Sequence, residues 1–203
     1  MAWEHLRSSY DEVARKYEDR FLDELRGKPR DREILAAFAA AVPDPVVEVG
    51  CGPGQIGLFV KQHGRRVYGL DLSSQMARLA NVRLDGALAA DMHSLPFASE
   101  QLGALVAFYS LIHVRRSALR PVLREFHRVS RRWVIIDYRH CYTIRYVLTQ
   151  TLGRLGIGRT PLSRVSRKEL DQEFTDAGFA IRKVIRVSAP LLSDKWIVLA
   201  ERA

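Results

Sequence analysis

Val46-Val47-Glu48-Val49-Gly50-Cys51-Gly52-Pro53-Gly54-Gln55-Ile56-Gly57 is the stretch on which the reading of this chain turns. Val46 to Val49 is a β-branched run with a single acid, the pattern of a short strand buried in a sheet. Three glycines at alternate positions follow, and Gln55 to Val60 reads as a helix. Strand, glycine turn and helix together bring backbone close to a ligand. Glycine lacks Cβ, so it takes φ > 0 and lets a ligand lie on the main chain, and the helix start offers free N–H groups.

Two ligand classes use such a turn. Gly52 to Gly57 matches the G-x-G-x-x-G dinucleotide pattern, a weak signal alone. With Glu48 in front, Gly50-Cys51-Gly52-Pro53-Gly54 is instead an E-x-G-x-G-x-G arrangement. The latter resembles motif I of the class I S-adenosylmethionine-dependent methyltransferases, of the small-molecule, ubiquinone/menaquinone-methyltransferase-like type. The resemblance implies that Glu48, Gly50, Cys51, Gly52 and Gly54 form a turn against the aminoacyl part of S-adenosylmethionine, with S-adenosylhomocysteine as product. A tight turn without a ligand is the competing reading.

The 203 residues, 47% hydrophobic, suit one core and a single domain over 1–203. No apolar run approaches the ~18 residues of a spanning helix, and Met1-Ala2-Trp3-Glu4-His5 does not begin like a secretory signal. Two cysteines, Cys51 and Cys141, make a poor disulfide framework, so a reducing, cytoplasmic home is expected. The net charge of +9 raises the question of a nucleic acid partner. Most of the excess is arginine in an alanine-rich chain, which reads more simply as coding composition.

The N-terminal stretch 1–42 reads as two helices. Leu6, Tyr10, Val13, Ala14, Tyr17, Phe21 and Leu25 recur at helical spacing on the first, and Gly27-Lys28-Pro29 ends it. Tyr10-Asp11-Glu12-Val13-Ala14-Arg15-Lys16-Tyr17 resembles the Y-D-x-x-A-x-x-Y segment of small-molecule methyltransferases, which implies a cap over the cofactor lined by Tyr10 and Tyr17. Downstream, Arg66 to Asp71 is a second strand. Asp71 stands at its carboxyl end, where a carboxylate can accept both ribose hydroxyls. Ser73 or Ser74 then caps a helix carrying Met76. Ala87 to Ala90 is the third strand, and Asp91-Met92-His93-Ser94-Leu95-Pro96-Phe97 resembles the family's D-x-x-x-L-P-F signature. There the acid receives the adenine amine, for which a carboxylate is a suitable acceptor, and Met92 packs on the ring. The resemblance extends the cofactor site to Leu72, Met76, Tyr109 and Ser110.

Leu102 to Ser110 reads as the fourth strand and Trp133 to Asp137 as the fifth, joined by a helix carrying Arg120, Arg124 and Arg128, with Arg116 just ahead of it. That arginine stripe is a solvated face or, alternatively, a phosphate-binding one. Residues 139–161 mix aromatics with arginines and read as an acceptor-side insertion or a plain surface helix. Ser166-Arg167-Lys168-Glu169 is a capping box. Phe179–Val187 and Lys195–Glu201 are too close in sequence for a crossover and form an antiparallel hairpin. A dinucleotide fold would continue with parallel crossovers. The expectation is therefore an α/β, Rossmann-like doubly wound sheet in order 3-2-1-4-5-7-6 with an N-terminal helical cap.

A sulfonium methyl is already electrophilic, so the protein's main task is to hold a nucleophile in line with it. A base is needed only where the acceptor keeps its proton. His113, after the fourth strand, is the leading candidate, followed by His140 and Tyr138 at the end of the fifth. No cysteine or histidine pair has metal-ligand spacing. The expected acceptor is a small molecule methylated on O, N or C, with a hydrophobic body and an anionic group, and the chain a monomer or homodimer. Methylation of RNA and a catalytically silent cofactor-binding sensor or partner subunit are the alternatives.

Overall fold

The computed structural model describes residues 2–139, 165–187 and 195–203, with side chains from residue 4 onward. His140, Cys141 and all of the expected 139–161 insertion except Arg139 lie outside the described residues. Helix α1 spans Ala2–Phe21 and α2 spans Pro29–Ala41. The apolar stripe predicts a first helix reaching Leu25. The helix ends at Phe21 instead, and Leu25 is buried in a 3-10 turn at Glu24–Gly27. Pro29 opens α2 at a position where a missing N–H goes unused.

Then follow β1 (Val46–Val49), α3 (Gln55–Gln62), β2 (Val67–Asp71), α4 (Ser74–Asn81), β3 (Ala87–Ala89) and β4 (Leu102–Ala107). The chain continues through α5 (Leu119–Val129), β5 (Ser130–Arg139), α6 (Arg167–Asp176), β6 (Phe179–Arg186) and β7 (Lys195–Arg202). The seven strands form one sheet in the order β3-β2-β1-β4-β5-β7-β6. The first five are parallel, and β7 runs antiparallel to both β5 and β6. This is the Rossmann-like order expected from the hairpin. Strand β4 is shorter than its apolar run because Tyr109 adopts φ +58, which takes the chain out of the sheet. Strand β5 is longer than expected at both ends, because Ser130 pairs with Leu102 of β4 and β7 pairs with it through Arg139.

Successive strand side chains point to opposite faces, and both faces are covered. Val47, Val49, Leu105 and Ile136 share one core with Leu123 and Phe126 of α5 and Phe174 of α6. Val46, Val106 and Ile135 share the other with Leu35 and Phe38 of α2 and Ile56 and Val60 of α3. Val122, Leu123, Phe126 and Val129 put one face of α5 wholly inside. Truncating Phe126 to alanine there would cost about 3–5 kcal/mol. The capping box at α6 is formed, with Ser166 and Glu169 satisfying each other's backbone N–H. Both cores hold the carboxyl ends of β1, β2 and β4 in one row, and the candidate site lies beyond that row.

Candidate active site

The turn after β1 is built for close approach. Gly50 and Gly52 sit at φ +72 and +52, and the N–H groups of Gly50 and Cys51 both donate to the Leu70 carbonyl, tying the turn to β2. The two glycines face different surroundings. A Cβ on Gly50 would lie 2.2 Å from Cβ of Ser110, whereas one on Gly52 would meet nothing nearer than Gln55 Oε1 at 3.7 Å and Tyr17 Cε1 at 3.8 Å. Gly50 is therefore held by protein and Gly52 faces open space. Behind the turn, Glu48 is 1% exposed and accepts the Gly57 N–H at 2.7 Å. Burial pushes its carboxyl well above the usual carboxylate range, opposed by that hydrogen bond.

Asp71 ends β2 with both oxygens oriented by backbone. Its Oδ2 accepts the Gly52 N–H and its Oδ1 the Ser73 N–H, each at 2.8 Å. Burial raises its pKa, and the Ser73 and Gly52 hydrogen bonds oppose the rise. Each oxygen keeps a lone pair for a hydroxyl donor. After β3, Asp91 Oδ1 accepts the His93 N–H at 2.9 Å and contacts His93 Nδ1 at 2.7 Å, which orders the Asp91–Phe97 loop. Glu125 and Arg128 of α5 hold that loop from behind: Glu125 accepts the Leu95 N–H, and Arg128 donates to the Leu95 and Phe97 carbonyls.

Helix α1 lies across the site and is fastened to α4. Asp11 Oδ1 accepts from the Ser73 hydroxyl at 2.6 Å and the Gln75 N–H at 3.1 Å, and the Ser73 hydrogen bond leads in lowering its pKa. Glu18 pairs with Arg83 at 2.6 Å, and Arg83 also donates to the Pro53 carbonyl of the glycine turn. Ala14 packs on Met76 and Leu79, flanked by Tyr10 and Tyr17. Tyr10 reaches across to the opposite wall, where its hydroxyl lies 2.9 Å from His113 Nε2. Burial raises the pKa of both tyrosines and lowers that of His113, which is therefore neutral at pH 7.

Tyr109 is pinned at both ends. Its N–H donates to the fully buried Asp137 at 2.5 Å, and its hydroxyl donates to Asp31 at 2.9 Å while accepting from Lys28 and Lys195. A non-glycine residue in the left-handed region costs about 1–2 kcal/mol. These contacts hold Tyr109 there.

Together these elements enclose a cleft of about 780 Å³, counting its open mouth, beyond the carboxyl ends of β1, β2 and β4. Its walls carry Tyr10, Tyr17, Glu48, Gly50, Gly52, Asp71 and Leu72, all expected from sequence. Met76, Asp91, Met92, Tyr109, Ser110 and His113 complete the expected set. Three expected residues stand elsewhere. Cys51 is buried with its thiol toward Gly69 of β2, and burial keeps that thiol protonated. Gly54, at φ +89, backs onto Ala80 and Leu84 and starts α3. Tyr138 follows Asp137 on β5, so strand alternation turns it away from Tyr109 and into the core with Leu111, Leu119 and Leu170. It is not on the cleft wall. The sequence reading missed Leu6, Arg7, Gln55 and Phe108 on the walls, and Asp11, Arg83 and Lys195 behind them. Among the described residues there is no cluster of three or more histidine, cysteine or acidic side chains suited to a metal ion.

Residues 46–132 match the family described as "Methyltransferase domain". That span runs from the first residue of β1 through α5 and contains the glycine turn, Asp71, Asp91 and His113. Over that span, a little under half of its length, the chain is similar to a methyltransferase domain. A malonyl-[acyl-carrier protein] O-methyltransferase of Hamiltonella defensa is 35% identical to it over 88 residues, 42% of this chain and 33% of that protein. An uncharacterized methyltransferase of Geobacillus kaustophilus is 27% identical over 130 residues, 63% of this chain and 59% of its own. The chain thus spans about one third to three fifths of the length of these relatives. In fold, the chain is similar to magnesium protoporphyrin IX methyltransferase from Synechocystis with bound S-adenosylhomocysteine. The TM-score is 0.80 at 17% identity, covering 98% of this chain and 99% of that one. A possible histamine N-methyltransferase from Thermotoga maritima gives 0.71 at 17% identity, covering 96% and 98%.

The residues of the cleft fit S-adenosylmethionine. Gly52 leaves a cradle that a Cβ would fill, Asp71 keeps a lone pair on each oxygen for a hydroxyl donor, and Ser110 Oγ is a buried hydroxyl without a hydrogen-bond partner among the described residues.

Proposed function

We propose that the chain transfers the methyl group of S-adenosylmethionine to an oxygen, nitrogen or carbon of a small molecule. One observation carries this reading: the cleft has a cofactor wall on one side and His113 with Tyr10 on the other. When bound, the cofactor supplies an electrophilic methyl on a sulfonium. In this reading the Gly50–Gly52 turn receives its aminoacyl part, Asp71 its ribose hydroxyls, and Asp91 with Met92 its adenine. Tyr10 and Tyr17, carried on α1, roof the cleft and exclude water. His140 and the remainder of 139–161 belong to the same reading as acceptor-side residues.

His113 is the wall residue suited to take a proton from an acceptor that keeps one. It is neutral, and Nε2 shares a hydrogen bond with the Tyr10 hydroxyl; in the tautomer with its proton on Nδ1, Nε2 accepts from that hydroxyl and is the basic nitrogen. An acceptor must displace that hydroxyl to reach Nε2. Leu6, Met92 and Phe108 offer an apolar surface and Arg7 a cation, which supports an acceptor with a hydrophobic body and an anionic group. The O-methyltransferase relatives favour oxygen as the methylated atom.

Methylation of RNA has less support. Three of the four arginines before and along α5 pair with acids, Arg116 with Glu169, Arg120 with Glu173 and Asp176, and Arg128 with Glu125, and Arg124 reaches the Asp176 carbonyl. Among the described residues no helix is long and apolar enough to cross a membrane. The test is to incubate the protein with methyl-labelled cofactor and a cell extract separated into RNA and small-molecule fractions. Label in the small-molecule fraction is expected. Label confined to RNA would replace this reading with the second one, and no label anywhere would favour a silent cofactor-binding protein.

A further inference from the structure

A buried ionic cluster stands behind the cleft wall and has no task in the proposed transfer. Asp31 of α2 and Asp137 of β5 have no exposed surface, and Lys195, the first residue of β7, is 7% exposed. Taking such charges out of water costs more than their attraction readily returns, and apolar side chains of similar size often suit a fold as well or better. Stability alone therefore does not account for the cluster. Its bonds converge instead on one residue of the cleft wall. Asp31 Oδ2 accepts from the Tyr109 hydroxyl and from Lys195, and Lys195 also donates to that hydroxyl. Asp137 Oδ1 accepts the Tyr109 N–H. Burial lowers the pKa of Lys195, opposed by Asp137 and Asp31.

Tyr109, at φ +58, is where the chain turns out of the sheet after β4. Ser110 follows it, and then a 3-10 turn at Leu111–His113, in which the His113 N–H donates to the Ser110 carbonyl at 3.1 Å. Three residues and one hydrogen bond thus join the pinned tyrosine to the His113 ring, which meets Tyr10 at 2.9 Å. The direction of the Tyr109 backbone sets where that ring stands. Gly52, Asp71 and Asp91 belong to β1, β2 and β3 or the turns after them, so the cofactor wall is built separately. We infer that Asp31, Lys195 and Asp137 are positioning residues, which hold Tyr109 in the left-handed region and through it fix His113 on the wall across from the cofactor. The inference rests on the proposed function in taking His113 as the base. It ties the acceptor wall to α2, β5 and β7, elements that carry none of the cofactor residues.

The experiment compares the whole chain with two variants. Asp31→Leu with Lys195→Met replaces the ion pair by apolar side chains of similar size; Tyr109→Phe keeps the pair and removes the hydroxyl that it holds. Each is read by thermal unfolding, by calorimetric titration with S-adenosylhomocysteine and by NMR titration of the His113 imidazole. The double variant should melt no lower than wild type, and both variants should bind S-adenosylhomocysteine with little change. The wild-type imidazole, buried, should titrate below the ordinary value of about 6.5, and in both variants it should move toward that value. Transfer of label from methyl-labelled S-adenosylmethionine to the small-molecule fraction of an extract should slow by up to about a hundredfold, the scale for a misplaced reacting group. A wild-type imidazole that already titrates at the ordinary value, or folded variants that keep the wild-type titration, would overturn the inference. Should the double variant not fold, Tyr109→Phe decides by the same reading. A moved titration with unslowed transfer would uphold the positioning and remove His113 as the base. A wild type that transfers no label would sink the proposed function, and the His113 titration would still decide the positioning.

Discussion

The two central glycines of the turn are predicted to fail in opposite ways when each is replaced by alanine. In Gly50→Ala the new methyl would sit 2.2 Å from Ser110 Cβ, so turn and β4 must separate. The left-handed backbone adds about 1–2 kcal/mol and the overpacking about 1–3 kcal/mol. The total of about 2–5 kcal/mol corresponds to a melting point lower by ~4–20 °C in a chain of this size. In Gly52→Ala the backbone term is the same, but no protein atom lies within 3.7 Å of the new methyl, so the melting point falls by only ~2–8 °C. That methyl stands in the cleft and holds a ligand off the turn. Losing two hydrogen bonds from the turn costs about 2–3 kcal/mol, or roughly 30- to 150-fold in affinity. Thermal unfolding followed by titration with S-adenosylhomocysteine separates the two effects. A Gly52→Ala protein that binds as well as wild type would refute the cradle. A Gly50→Ala protein as stable as wild type would refute the assigned packing.

Asp71→Asn should weaken S-adenosylhomocysteine binding by about 1.5–3 kcal/mol while the fold persists, as read by calorimetry; unchanged affinity would remove Asp71 from the ribose. Glu48, whose folded pKa is raised by burial, contributes stability that is present below its unfolded pKa and lost as pH rises through the folded value. Urea unfolding at pH 5 and pH 8 should therefore show wild type losing stability with pH, and Glu48→Gln should flatten that loss. Because burial lowers the pKa of His113, kcat/KM for an acceptor that keeps its proton should fall only at a pH below the ordinary imidazole value of about 6.5. His113→Ala should then cost about 10²–10⁴ in rate, and a loss smaller than tenfold would make His113 a wall residue only. Asp11→Ala removes two fastenings of α1, so hydrogen exchange of residues 4–21 should speed up and the slowing on adding S-adenosylhomocysteine should shrink.

The strand, glycine turn and Asp71 were legible because their chemistry is local. Alternate glycines after a β-branched run and an acid at a strand end each need only neighbours in sequence. The hairpin was legible for a similar reason, since seven residues between Val187 and Lys195 cannot make a crossover. What escaped depends on pairs far apart in the chain. Asp11 stands in the Y-D-x-x-A-x-x-Y segment without an assigned role, and only the fold brings it to Ser73, 62 residues on. Lys195 was read only as the first residue of the last strand, and the fold buries it against Asp31, 164 residues away. Tyr138 was misplaced by parity: a strand shows which residues alternate, not which set faces the ligand. Tyr10 and His113 were each named on separate grounds, and their meeting at 2.9 Å belongs to the way α1 folds over the sheet.

The measurement that tests the account most directly is a crystal structure of the protein with S-adenosylhomocysteine. The account predicts one molecule per chain in the cleft, its ribose hydroxyls on Asp71, its adenine between Asp91 and Met92, and its aminoacyl end over Gly52. Its sulfur should point toward the wall that carries Tyr10 and His113. A molecule bound in another groove, or lying in the cleft with its adenine on the glycine turn, would contradict it.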